Sequence, residues 1–147
     1  MATDFTKLGA TRADLEAAGA DRLREANEIL DLNHFGTAMA LGFYALEIHL
    51  KVRICDRLEL TQLLAAFHTH DLDGLLVLTG LKYRMDSLGI HPVKLNWNFL
   101  SSEWKSRYIN DLRYKSNSLW SRVQAEDVLR RIQDPTAGVI PWLSAQF

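Results

Sequence analysis

The sequence predicts an all-α protein, an antiparallel up-and-down bundle of about five helices forming a single domain over residues 1–147. Three observations predict it. Apolar residues recur at spacings of three and four in one segment after another, no stretch alternates with the period of two that marks a strand, and the connections are short enough to force antiparallel neighbours. At 147 residues, 48% hydrophobic and 24% charged, the chain can bury about two-thirds of its unfolded surface around one core.

Residues 1–10 carry no periodicity and read as a loosely ordered segment. The first helix begins near Arg12, after Thr11 and Asp14 in a pattern like a capping box, and Leu15, Gly19, Leu23, Ala26 and Leu30 form its stripe. Asn33 to Gly36 allows a tight return. The second helix, residues 35–55, is apolar nearly all round: Phe35, Met39, Gly42, Leu46, Leu50 and Ile54 on one side, Leu41, Tyr44, Ile48 and Cys55 on the other. Such a helix is central and buried. Its ionisable exceptions, Glu47 and Lys51, stand four apart in the favourable order and should pair. A third, short helix carries Leu72, Leu75, Leu76 and Leu78 and stops at Gly80 as C′ residue. Residues 81–95, with Gly89 and Pro92, read as a surface connection. Trp97, Leu100, Trp104, Tyr108 and Leu112 mark the fourth helix; Val123, Val128, Leu129 and Ile132 mark a fifth over residues 121–133. Asp134 before Pro135 reads as a cap and first position of a short final helix.

A net charge of -1 excludes any global demand for nucleic acid or an anionic surface, yet the charge is uneven. Residues 1–81 carry 7 Lys+Arg against 12 Asp+Glu, a balance of -5, and residues 82–131 carry 10 against 5, a balance of +5. The single cysteine, Cys55, cannot form an internal disulfide and suits a reducing compartment. With no signal-like start and no apolar run of about 18 residues, the expectation is a cytoplasmic protein without a membrane segment.

The stretch most suggestive of chemistry is HTHDL, residues 68–72. His68, His70 and Asp71 could ligate a divalent ion, but no second cluster supplies further ligands, so no metal is expected. Thr69 or Asp71 could cap the third helix while His70 bonds a neighbouring element, or the group could bind a nucleotide or partner. A second candidate is residues 104–116, where Trp104, Tyr108 and Tyr114 interleave with Lys105, Arg107, Arg113 and Lys115 in the manner of single-strand binders. No Gly-rich phosphate loop, CxxC pair or other cofactor motif occurs.

Three patterns in register give the chain a resemblance to the HEPN domain family of small prokaryotic helical proteins, over roughly residues 11–145. The second helix, with Tyr44, Glu47, Leu50 and Lys51, resembles the family's second helix. His70, Asp71 and Leu72 resemble the triplet opening its third helix, and Arg113–Tyr114 resembles the pair following its fourth. The resemblance implies a homodimer, a nucleotidyltransferase as possible partner, a nucleotide or RNA as ligand, and a place in a toxin–antitoxin or defence system. It points to Lys51, His70, Asp71, Arg113, Tyr114 and Lys115 as ligand-binding residues. Many members are metal-independent RNases using Arg, four to six residues, then His near the end of the fourth helix. The matching region here holds Arg107 and Arg113 but no histidine, which implies a non-catalytic module; an RNase with an atypical site is the alternative. The one literal match to that spacing is Arg84 and His91, with six residues between them, in the connection before helix four. A homodimer is expected also because Trp97, Trp104 and Trp120 exceed what one small bundle needs.

Overall fold

The computed structural model describes residues 8–146 and is mainly helical. It opens with a strand that the sequence pattern does not announce. β1 (Leu8–Thr11) pairs antiparallel with β2 (Gln62–Leu64), Leu8 opposite Leu64 and Thr11 opposite Gln62, and Arg12 N donates to the Thr61 carbonyl at 2.9 Å. The expectation of a loose segment over residues 1–10 is thus corrected for residues 8–10; residues 1–7 lie outside the described part. Strands of three and four residues are too short to show an alternation, which is why the sequence reading misses them.

Helix α1 (Arg12–Asp31) starts as expected: Thr11 Oγ1 accepts from Asp14 N at 3.1 Å. It buries Leu15, Gly19 and Ala26 against α2 (Phe35–Leu58). The return between them places Asn33 at φ 65°, a left-handed conformation that asparagine tolerates better than most residues. Helix α2 runs three residues beyond Cys55 and is enclosed by α1, α3 (Leu72–Leu78), α6 (Ile109–Tyr114), α7 (Arg122–Gln133) and α8 (Val139–Ser144). Gly42 permits the closest approach: a Cβ there would lie 2.6 Å from Leu129 Cδ2 of α7. Gly80, at φ +76°, is the C′ residue the sequence suggests.

Two expectations for the second half need correction. Residues 81–95 are not a plain connection: α4 (Lys82–Asp86) buries Met85, and α5 (Pro92–Glu103) begins at Pro92. Proline here is a helix-starting residue at N1, with His91 Nδ1 accepting from Val93 N at 3.1 Å as cap. Pro135 does not open the last helix. Asp134 Oδ2 accepts from Ala137 N at 2.8 Å and closes a turn, and α8 starts only at Val139. Val123, placed on the fifth helix's apolar stripe by its sequence, is 75% exposed. The N-terminus of α7 is a full capping box between Ser121 and Gln124.

The fourth helix has one irregularity. Between α5 and α6, Trp104–Tyr108 forms a π-helical turn. Trp104 and Tyr108, four apart, both face α2, where Trp104 stacks on Phe43 with centroids 4.8 Å apart and Tyr108 meets Phe43 edge-on at 5.7 Å. Tyr108 meets Trp120 edge-on at 5.1 Å. Trp97, Trp104 and Trp120 are all buried within this single chain. The aromatic excess taken as a sign of a second copy is therefore absorbed by the protein's own core.

Candidate functional site

Of the two α2 residues that interrupt its apolar surface, Glu47 is buried, and its Oε1 accepts from two side chains: Lys51 Nζ at 3.2 Å and His70 Nδ1 at 2.6 Å. Bonding to an acceptor carboxylate puts the proton on Nδ1, so in the neutral imidazole Nε2 carries the lone pair. The ring is 54% exposed. The backbone of His70 is held as well, because Trp104 Nε1 donates to its carbonyl at 3.0 Å. One histidine is thus fixed from below by α2 and from the side by the π-helical turn, a device that recurs at functional sites.

Beside it lies a cleft of about 330 Å³. Leu72, Trp104 and Ile109 form its apolar wall; Thr69, His70, Asp71, Ser101 and Lys105 supply polar groups. A shallower hollow of about 220 Å³ shares Ser101 and Lys105 and adds Asp73 and Lys82. Lys105 is exposed and makes no hydrogen bond or ion pair among the described residues, whereas Lys82 is held by Asp86 at 3.1 Å.

The sequence-derived candidates divide between two places. His70 and Asp71 line this cleft; Lys51 does not, and is linked to it only through Glu47, which it shares with His70. Arg113, Tyr114 and Lys115 do not join them. Asn117 Oδ1 accepts from Thr37 N at 2.9 Å, which ties the end of α6 to the first turn of α2, ten residues or about 15 Å along the helix from Glu47. There Arg113, Tyr114 and Lys115 are exposed and without partners among the described residues. His68 also leaves the group: it packs against Gly9 of β1. Among the described residues no three His, Cys, Asp or Glu side chains converge in a metal-holding cluster. Arg84 donates to the Gln146 carbonyl at 3.4 Å while His91 caps α5, so each has a separate structural contact. Burial and the adjacent Asp56 carboxylate push the Cys55 thiol up, which makes it a poor nucleophile.

Among the described residues, five of the ten cations of residues 82–131 stand in ion pairs with acids of the same segment: Lys82 with Asp86, Arg107 with Glu103, Arg122 with Glu126, and Arg130 and Arg131 with Asp127. Two guanidinium groups hold the Asp127 carboxyl below its ordinary range despite partial burial. Arg84 and Lys94 are held by neutral acceptors, Gln146 and the Asp86 carbonyl, which leaves Lys105 at the cleft and Arg113 and Lys115 without side-chain partners among the described residues. Sequence reasoning includes Lys105 among the basic residues of segment 104–116 suited to phosphate but does not join it to His70, and Ser101 escapes notice; a serine one turn before Trp104 was the available signal. Comparisons with protein-family models, with curated proteins and with solved structures find no match to this chain. The HEPN resemblance therefore rests only on the short patterns quoted for it above. No helix among the described residues is long and apolar enough to cross a membrane.

Proposed function

We propose that the protein is a small helical binding module that takes a nucleotide, free or within single-stranded RNA, in the cleft between α3 and the π-helical turn. One observation carries this: an apolar wall and an unpartnered cation, Lys105, face one cavity with the His70 ring fixed at its edge. A base needs the first and a phosphate the second. At about 330 Å³ the cleft suits one nucleotide rather than several. Arg113, Lys115 and the ring of Tyr114, 78% exposed, would then serve flanking nucleotides. The resemblance adds a second copy and a nucleotidyltransferase as partners, in a cytoplasmic toxin–antitoxin or defence system. The test is titration with AMP and with a short single-stranded RNA at low and high salt. Saturable binding that weakens with salt, and at least tenfold with Lys105→Ala, is expected; no binding, or equal binding by the variant, overturns the reading.

A second reading has its own observation. A carboxylate that fixes Nδ1–H of a half-exposed histidine is the arrangement of a general base. In an RNase, His70 Nε2 would take the proton of a 2′-hydroxyl, whose oxygen attacks the adjacent phosphorus while the 5′-oxygen leaves with a proton from solvent. Cleavage yielding 2′,3′-cyclic phosphate ends and lost in His70→Ala would favour it over the binding module.

A further inference from the structure

We infer that the cleft selects guanine among the bases, through the carboxylate of Asp71. The inference rests on the nucleotide reading above and concerns which nucleotide it is. Asp71 occupies the N-cap position of α3, yet its side chain caps nothing; its carboxylate makes no hydrogen bond or ion pair among the described residues. The position is nonetheless defined. Asp71 N donates to Thr69 Oγ1 at 3.2 Å, the Asp71 carbonyl accepts from Leu75 N at 2.9 Å, and the preceding residue is held by Glu47 and Trp104. A carboxylate at a cleft rim, fixed in the backbone and uncommitted in the side chain, is a two-oxygen acceptor with no donor of its own.

The base it suits follows from the edges of the four bases. Guanine alone presents two adjacent donors, N1–H and the exocyclic N2–H₂, which match two carboxylate oxygens as a pair of parallel, charge-assisted bonds. Adenine and cytosine set one amino group beside a ring nitrogen acceptor that would face the carboxylate with like polarity. Uracil offers N3–H flanked by two carbonyls. Lys105, lining the same cleft, is left for the phosphate, so that the two charges separate the two ends of the ligand.

The experiment compares GMP, IMP and AMP by calorimetry on the full chain. GMP should bind about tenfold more tightly than AMP, with IMP, which lacks the exocyclic amine, in between. Asp71→Asn, which puts a donor where an acceptor stood, should bring GMP binding down to the level of AMP without lowering the melting temperature. Asp73→Asn, altering the neighbouring hollow, should keep the preference. Equal binding of GMP and AMP by the wild type, or a preference that survives Asp71→Asn, overturns the inference and leaves the nucleotide reading standing. Absence of binding by all three nucleotides overturns both.

Discussion

Two successive turns of α2 are held by their neighbours in opposite ways. At Phe43 the contact is made by shape: Trp104 stacks on the ring, Tyr108 closes its edge, and Tyr44 meets Trp104 at 6.4 Å. At Glu47, one turn on, it is made by charge, with one carboxylate oxygen shared between Lys51 and His70. The aromatic turn should respond to lost volume and be indifferent to pH; the polar turn should tolerate lost volume and respond to lost charge. The difference teaches where the cleft derives its order. His70 at its edge hangs on the Glu47 carboxylate, while Trp104 in its wall is fixed by the aromatic stack.

The largest expected effect tests the stack. Trp104→Ala removes the ring from Phe43 and the donor from the His70 carbonyl, and should destabilise the fold by about 4 kcal/mol in urea unfolding. Trp104→Phe, which keeps most of the stack, should cost much less; equal losses would refute the claim that shape governs this turn. Next comes Glu47→Gln, expected to cost about 2 kcal/mol. The figure lies below that for a fully buried pair because Lys51 retains 13% exposure and can reach water. A loss as large as that of Trp104→Ala would show that charge, not stacking, dominates.

The face of α2 toward α1 sharpens the contrast. There His49 Nδ1 donates to the Ala45 carbonyl at 2.7 Å, and burial holds the imidazole below its ordinary value of 6.5. The unfolded chain therefore takes up a proton at His49 before the folded one does. The stability from neutral His49 is whole above pH 6.5, falls away below it, and levels off once the folded protein is protonated too. Unfolding midpoints between pH 7.5 and 5 should fall more steeply in the wild type than in His49→Gln; parallel profiles would exclude the effect. The smallest change is expected from Val123→Lys, within about 0.5 kcal/mol of the wild type, because its side chain covers nothing.

Much of this comparison was legible in the sequence. Residues 42–54 show a helix with apolar residues on both sides and a Glu–Lys pair four apart, and the pair forms. Thr11 and Gly80 mark their helix ends because capping is local, needing only the nearest few residues. The strand pair was not legible, since its partners stand some fifty residues apart and neither is long enough to display a period. Nor was the composition of the site. His70 and Asp71 carry a local pattern, but Lys105 joins them only because Trp104 of the same turn packs on Phe43 of α2 and bonds the His70 carbonyl, while Arg113 and Lys115 share its chemistry and lie elsewhere. Val123 shows the converse error: an apolar residue near a helix start satisfies the spacing rule without satisfying the fold.

The π-helical turn at Trp104–Tyr108 also sets a phase. Such a turn accommodates one residue more than α-geometry would over the same rise, so α6 emerges rotated relative to α5 by about 100° from where an unbroken helix would carry it. Deleting one residue between Lys105 and Tyr108 would let the turn close as regular α-helix and leave Arg113, Tyr114 and Lys115 on the side they already occupy, whereas straightening the turn at full length would swing them by about 100°. In this protein the turn acts as slack: it takes up one residue of length, and a single-residue deletion within it leaves the basic end facing as before.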